Sequence, residues 1–240
     1  MTLLYLWRRE LENNMKGLLI KDLKIVASQK RFFFIAILFS VIFAWTGEDV
    51  TFASTYLVLI ISMLTLTTIS HDDFNGGMLF ILTLPTTRKI YTKEKYIFAF
   101  LNLMLGALCS ILVCVIIATI KGSSIPWAAI ISSTAGITLA MGFMLAVTIP
   151  LEFKFGVEKG RIAMITAVAI IFLVGAGGYK LLTDVFHVDL KSTVAELIST
   201  LPSNGQLVEI IIGSLMFVLL LAMLFVSYLI SNKIMKKKEF

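Results

Sequence analysis

Two polar segments of this sequence combine residue types that could do chemistry. The first runs from residue 70 to residue 96 and has His71, Asp72 and Asp73 in a row, and the second runs from residue 152 to residue 161. Histidine and carboxylate side chains bind metals and carry out acid–base catalysis. Three consecutive residues do not share a helix face, however, and no further ligand is near in sequence. The first segment therefore favours a polar turn or a helix cap over a metal site.

Sequence motifs for nucleotide binding and catalysis are missing. The sequence contains no HExxH, no GxSxG and no GxxxxGK[ST]. The stretch 156–161 has glycine and lysine, but in the wrong order and spacing for a phosphate-binding loop. We therefore predict that the chain is not an enzyme and that it binds no cofactor or metal. Any ATP-driven step would need the nucleotide to be bound by another subunit.

The composition is typical of a membrane protein. Hydrophobic residues make up 58% of the 240 residues and charged residues 15%, and the mean hydropathy is +0.95. Soluble domains are about 45–50% apolar and about 25% charged. These values exclude an ordinary soluble domain and a disordered chain. The net charge of +6 then reflects membrane topology rather than binding to nucleic acid.

The elements that must position the polar segments are six uncharged apolar blocks. A bilayer core of about 30 Å needs about 20 helical residues. We predict an all-α polytopic protein with six transmembrane helices in residues 32–232. Their interiors contain no charged residue and no histidine, which argues against an ion-coupled carrier. The blocks are Phe32–Gly47, Val50–Ile69, Ile97–Ile120, Gly122–Leu151, Ile162–Tyr179 and Ile210–Asn232.

Positive charge is concentrated in alternate segments between the blocks. All but three of the 21 Lys and Arg residues lie in residues 1–31, 70–96, 152–161 and 233–240. The other three are Lys121, Lys180 and Lys191. Because cytoplasmic loops carry an excess of Lys and Arg, both termini are predicted to be cytoplasmic. Residues 233–240 then form a basic cytoplasmic tail.

The N-terminal segment, residues 1–31, is predicted to contain an interfacial helix. Between residues 16 and 31, Leu19, Leu23 and Val26 follow helical spacing, and lysines occupy the other faces. This pattern is typical of a helix that lies on the membrane surface. An ordinary N-terminal tail is the alternative. Met15 is a plausible start of a shorter protein, so we treat residues 1–14 as an extension.

Small residues on two blocks suggest close helix packing. Helices approach each other closely where small residues recur every fourth position. Either packing within the chain or an interface between two copies would use such positions. The residues are Ser132, Gly136 and Ala140 in the fourth block, and Gly175, Gly177 and Gly178 in the fifth.

Two sequence stretches carry a resemblance to a known family. They are DDFNGGMLFILTLPTTRKIYTKEKY, from residue 72 to residue 96, and PLEFKFGVEKGR, from residue 150 to residue 161. Together they resemble permease subunits of ABC exporters of the type-two membrane family. Within it, the chain is similar to the small six-span Gram-positive subfamily of bacitracin-resistance and phenol-soluble-modulin exporter permeases. The resemblance covers Met15–Phe240.

The resemblance implies how such a chain works. It implies a dimer of permease subunits in the bacterial cytoplasmic membrane, with ATP and Mg bound by a separate cytoplasmic ATPase subunit. The two polar segments would couple to that ATPase, with Phe residues as apolar knobs and charged residues as orienting ion pairs. The implied coupling residues are Asp72, Asp73, Phe74, Arg88, Glu152, Phe153, Lys154, Phe155, Glu158, Lys159 and Arg161.

The resemblance also implies the export of amphipathic peptides, toxins or antimicrobial peptides, and contact with membrane lipids. Two alternatives stay open at this point. The first is a non-transporting immunity or sensory partner in the membrane, whose polar segments dock a protein without turnover. The second is a membrane-embedded enzyme, which the absence of charged residues and histidine inside the blocks disfavours.

Overall fold

The fold is entirely helical over the residues that the structure describes, so the predicted all-α class is confirmed. A computed structural model describes residues 2–46, 51–74, 77–83, 86–122, 125, 127–180 and 205–237. Within these ranges, side chains are described from residue 15 onward, except at 51, 79, 82, 161, 167, 168, 170–180 and 205–212. The helices are α1 (Thr2–Ser28), α2 (Lys30–Thr46), α3 (Thr51–Asp73), α4 (Gly77–Thr83), α5 (Arg88–Ile120), α6 (Trp127–Lys180) and α7 (Gly205–Lys237).

Four of the described helices are long and apolar enough to cross a membrane. They are Phe52–Asp73, Arg88–Ile120, Trp127–Gly160 and Gly213–Lys237. The helices Met15–Ser28 and Lys30–Thr46 meet at a 63° bend and would add a fifth span if the pair crosses as one. The predicted block at 162–179 falls in the second half of α6, where few side chains are described. The count of six spans and the orientation of the termini stay predictions.

Helix α3 lies at the centre of the bundle. It packs mainly against α5 and α6, and α6 packs in turn against α7. The approach of α3 to α5 is close at Gly106, where an added Cβ would lie 3.3 Å from the Cα of Val58. Glycine is the residue that allows two backbones to come this near. Buried Leu103 and Leu145 belong to the apolar core around this contact.

Uncharged polar groups pair with one another between the helices. The amide of Asn102 donates to the hydroxyl of Thr65 at 3.0 Å, joining α5 to α3. The hydroxyl of Tyr96 lies 2.7 Å from that of Ser231, joining α5 to α7. A polar group left unpaired in an apolar interior is costly, so these contacts fix which helix faces meet.

The four segments rich in Lys and Arg come together at one end of the bundle, which we call the loop end. There the Lys95 Nζ lies 2.5 Å from the Asp22 Oδ2, and the Arg88 Nη1 donates to the carbonyl oxygen of Met235 at 3.1 Å. At the opposite end, the Lys121 Nζ donates to the carbonyl oxygen of Ala44. The structure thus places on one side the segments that charge counting assigns to one side. Residues 233–237, predicted as a tail, are the last turn of α7.

Helix α1 packs on the protein through the face that carries Leu18 and Asp22, and the predicted apolar stripe lies to one side of it. Leu18 and Asp22 are buried, whereas Leu23 is 57% exposed. Leu19 and Val26, also in the predicted apolar stripe, are only half-buried. The reason is that Asp22 has a buried cationic partner on α5, which turns this side of α1 inward. Ile20 and Leu23 remain outside, where they suit contact with lipid.

The small residues of the fourth block face away from the parts of the chain that the structure describes. Ser132 and Ala140 are exposed, and no described atom lies within 4 Å of a Cβ added at Gly136. The described part of the chain therefore does not use this ladder for internal packing. The surroundings of Gly175, Gly177 and Gly178 lie outside the described side chains.

Candidate functional site

The first polar segment, at the loop end, contains the end of α3, the short helix α4 and the start of α5. Helix α3 ends at Asp73, and α4 (Gly77–Thr83) supplies one short apolar helix, with Phe80 69% exposed. Helix α5 then begins at Arg88 because the Thr87 side chain accepts a hydrogen bond from the backbone N–H of Ile90. Threonine is a favoured N-cap residue for this reason.

The second polar segment is a break inside α6. Gly156 has φ 77° and ψ 169°, which interrupts the helix between Phe155 and Val157. Only glycine adopts this backbone region without strain. Pro150, one turn and a half earlier, also lacks the N–H that a helix interior needs. The sequence therefore divides α6 into two helices with different directions.

One hydrogen bond holds the two polar segments together. The backbone N–H of Val157 donates to the Asp73 Oδ2 at 2.9 Å. Asp73 thus caps the second half of α6 from another helix, where a negative charge is favourable. Beside this contact lies a cavity of about 520 Å³, lined by Ser70, Asp73, Phe74, Phe155, Gly156, Val157, Glu158 and Lys159.

Replacing Gly156 with Ala tests this junction. The new methyl group would lie 3.2 Å from the Asp73 Oδ2, and the residue would keep a positive φ. We expect the free energy of unfolding to fall by about 1–3 kcal/mol, the cost of a strained residue of this kind. Chemical denaturation in detergent measures it. Gly17→Ala is the matched control, because an added Cβ meets no described atom there; equal losses at both sites would contradict the strained junction.

The rim of the cavity presents aromatic and charged side chains to solvent. Phe74 is 72% exposed and Phe155 is 43% exposed. Lys154 places its Nζ 4.9 Å from the centroid of the Phe155 ring, and Glu158 and Lys159 are exposed. Exposed aromatic rings mixed with charged groups suit docking to another protein.

Three of the predicted coupling residues lie inside the protein instead. Asp72 and Glu152 are 4% exposed and Phe153 is fully buried. The Phe153 ring packs against Tyr91, with ring centroids 5.8 Å apart. These side chains offer no surface to a partner, so the prediction of Phe153 as an exposed knob is corrected. Side chains two residues apart on a helix point to opposite sides, so the same helix buries Phe153 and exposes Phe155.

Arg88 faces the end of α7. Its Nη1 donates to the carbonyl oxygens of Met235 and Lys236, at 3.1 and 3.4 Å. A cation at the last carbonyls of a helix is stabilising because it complements the helix dipole. Arg88 therefore anchors α7 to the start of α5. The Arg161 side chain lies outside the described ones.

A buried ring of four charges lies behind the rim. Lys21 and Asp22 come from α1, Asp72 from α3 and Lys95 from α5. The Lys95 Nζ is 2.5 Å from the Asp22 Oδ2 and 2.7 Å from the Asp72 Oδ2. The Lys21 Nζ is 2.5 Å from the Asp72 Oδ1 and 3.2 Å from the Asp22 Oδ1. We call these four residues the charge ring; Lys95 and Asp22 are fully inaccessible to solvent.

The charge ring was missed by reasoning from sequence. In the sequence, Lys95 is one of several basic residues that precede an apolar block. Asp22 lies among the polar residues of the N-terminal helix. A usable signal is that Asp22 is acidic in a segment otherwise dominated by Lys and Arg. Such a carboxylate suggests a buried basic partner, but its identity depends on the packing of three separate helices.

The histidine and the two aspartates of the first polar segment do not converge on one site. His71 is exposed, Asp72 points into the charge ring and Asp73 caps α6, so the three consecutive residues diverge. Among the described residues no group of three or more His, Cys, Asp and Glu side chains could hold a metal ion. The loop end of the bundle instead presents exposed aromatic and charged side chains.

Comparison with known families agrees with this geometry. Residues 17–236 match the sequence model of a family described as ABC-2 family transporter protein. The chain belongs to the ABC-2 transporter family. No protein in the curated set compared with it matches the chain.

Membership in the ABC-2 family indicates the role of this chain and the class of its partner. The chain is a membrane-embedded permease subunit of an ABC transporter. Its family implies a partnership with an ABC ATPase subunit, and the match covers the described helices except the first part of α1 and the last residue of α7. The match does not discriminate the small six-span Gram-positive subfamily, which stays a resemblance.

Proposed function

We propose that this permease works as a dimer in the bacterial cytoplasmic membrane and exports amphipathic peptides, driven by a separate ATPase that docks on the loop end. One observation carries the docking proposal. The two polar segments, far apart in sequence, lie side by side through the Asp73–Val157 hydrogen bond. Their exposed Phe74 and Phe155 border one cavity. A partner bound at this cavity contacts both segments at once.

The physical mechanism follows from that arrangement. Closure of the ATPase on ATP moves whatever is docked on it. Because Asp73 joins the end of α3 to the break in α6, the displacement reaches both helices together. Packed helices shift as rigid bodies rather than deform smoothly. The path for substrate then opens between two permease subunits.

The exposed ladder on α6 supports the dimer. Ser132, Gly136 and Ala140 form a small-residue face that no described part of the chain covers. Small residues let helices of two subunits approach closely in lipid. We propose that this face meets the same face, or its equivalent, on a second permease.

The proposal of amphipathic peptide substrates rests on the sequence resemblance. Apolar surface is extensive on the described helices, and Met104, Met216 and Phe217 line an apolar cavity of about 210 Å³ between α5, α6 and α7. Flexible Met side chains adapt to varied apolar partners. A peptide with one apolar face is a substrate that such a surface could accommodate.

Phe74→Ala combined with Phe155→Ala tests the docking surface. We expect the double variant to insert into the membrane normally but to bind its partner ABC ATPase at least about 30-fold more weakly. Loss of one central aromatic contact at an interface costs about 2 kcal/mol or more. Co-purification of the complex and titration of the ATPase onto nanodiscs measure the affinity.

Phe39→Ala combined with Phe52→Ala is the matched control, because both rings are exposed and lie in the halves of α2 and α3 that are farther from the loop end. The control is expected to bind the ATPase like the native chain. Unchanged binding by the Phe74 and Phe155 double variant would refute docking on this cavity. ATP hydrolysis that rises with added amphipathic peptide would support the substrate proposal, and hydrolysis insensitive to every peptide tried would count against it.

A further inference from the structure

Glu94 is a buried carboxyl group that the charge ring does not use. Its side chain is fully inaccessible, and neither carboxyl oxygen accepts a hydrogen bond from any described group. The Lys95 Nζ is 3.9 Å from the Glu94 Oε2, beyond hydrogen-bonding distance. That ammonium group already contacts the side-chain oxygens of Asp22, Asp72 and Thr68. A buried carboxylate ion without donors is costly.

The charges around Glu94 make an ionised form still less favourable. Two lysines and two aspartates balance each other in the charge ring, so an ionised Glu94 would leave the buried group with one excess negative charge. Towards α7, the polar contacts of neighbouring Tyr96 are the uncharged hydroxyls of Ser227 and Ser231. The ionisable groups near Glu94 are Lys21 and Asp22 on α1 and Tyr91 and Lys95 on α5. Asp72 on α3 contacts the same Lys95 ammonium group.

The Asp22 side chain is the acceptor nearest to Glu94 in charge and position. Its Oδ1 is buried and has the Lys21 Nζ at 3.2 Å, but accepts no well-aligned hydrogen bond, and the Asp22 side chain faces Glu94. Two ionised carboxylates only accept hydrogen bonds, so no bond can form between them. One shared proton turns the pair into a donor and an acceptor and removes the excess charge.

We propose that Glu94 is a proton-binding site that controls the attachment of α1. In neutral solution its carboxyl group is uncharged and donates its O–H to Asp22. Loss of the proton places two negative charges face to face between α1 and α5. Because the charge ring supplies the polar contacts that hold α1, the repulsion loosens α1 from α3 and α5. The proposal does not depend on the transport activity, the ATPase or the substrate.

Infrared spectroscopy tests the proton directly. The carbonyl stretch of an uncharged carboxylic acid is separate from the bands of a carboxylate. We expect the spectrum of the native chain in nanodiscs at about pH 7 to lose one carboxylic-acid band in Glu94→Gln, a buried group of nearly the same shape. Glu158→Gln, at an exposed site, is the matched control and should lose none.

Distances between spin labels test the attachment of α1. Labels go on cysteines introduced at the exposed positions Lys24 and Lys93, after Cys109 and Cys114 are replaced by Ala. Raising the pH from about 6 to about 9, the range in which buried carboxyls titrate, should broaden and lengthen the distance distribution. The same chain with Glu94→Gln should keep the short, narrow distribution throughout.

Each outcome decides one part of the proposal. A carboxylic-acid band lost only in Glu94→Gln, with a pH-dependent distance lost in the same variant, supports both parts. A native spectrum without that band overturns the proton site. A band with a distance that ignores pH overturns the control of α1. Failure of the ATPase to bind would refute the docking proposal and leave these measurements unaffected.

Discussion

Lys95→Met is expected to lower the free energy of unfolding by about 3–5 kcal/mol, the cost of breaking a buried ion pair from one side. The variant keeps the size of the side chain but removes the cation that Asp22 and Asp72 share. Both carboxylates would stay buried, with Lys21 as their one remaining partner in the charge ring. Reversible unfolding of the purified permease in mixed micelles measures the loss.

Two further variants separate the buried ion pair from a general effect of losing a lysine. Lys93→Met changes an exposed lysine on the same helix and is expected to shift stability by less than about 0.5 kcal/mol. Asp22→Leu combined with Lys95→Met removes both members of one pair. It should recover part of the loss, because apolar replacement of a whole buried pair is often tolerated. A Lys95→Met protein as stable as the native one would contradict the buried ring.

Phe153→Ala is expected to lower the free energy of unfolding by about 3–5 kcal/mol, whereas Phe155→Ala leaves it unchanged within about 0.5 kcal/mol. Phe153 is fully buried against Tyr91, and its removal opens a cavity where α5 meets α6. Phe155 stands on the rim of the loop-end cavity, 43% exposed. The same unfolding assay, applied to both variants, measures the difference.

The two phenylalanines should also differ in their effect on the ATPase complex. Phe155→Ala should weaken binding of the ATPase without loss of folded protein, since its ring is on the docking surface. Phe153→Ala should reduce the yield of folded permease, and the folded fraction should bind normally. Equal stability losses in the two variants would show that the burial assigned to this turn of α6 is wrong.

Much of the fold follows from the sequence because a bilayer constrains it strongly. Apolar blocks of span length must be helical, since lipid offers no partner for backbone N–H and C=O groups. Lys and Arg counts correctly grouped the four segments of the loop end. The two polar segments stood out for the same reason: charged residues are conspicuous in a chain that is 58% hydrophobic. Membership in the ABC-2 family agrees with the resemblance carried by those segments.

The direction of individual side chains could not be predicted in this way. Phe153 and Phe155 are two residues apart and chemically identical, yet one is buried and the other exposed. Asp72 and Asp73 are adjacent, yet one enters the charge ring and the other caps α6. Helical rotation of about 100° per residue separates neighbours, and its phase depends on which helices pack alongside.

The sequence by itself determined that this protein is a helical bundle in a membrane, with two polar segments on one side that suit a protein partner. The tertiary structure alone decided that α1 is fastened to α3 and α5, through charges up to 73 residues apart in the chain. The physical reason is that hydropathy and charge counts are local properties, whereas a buried ion pair exists only after distant helices have met. The proton site proposed at Glu94 likewise depends on contacts between helices that are distant in the sequence.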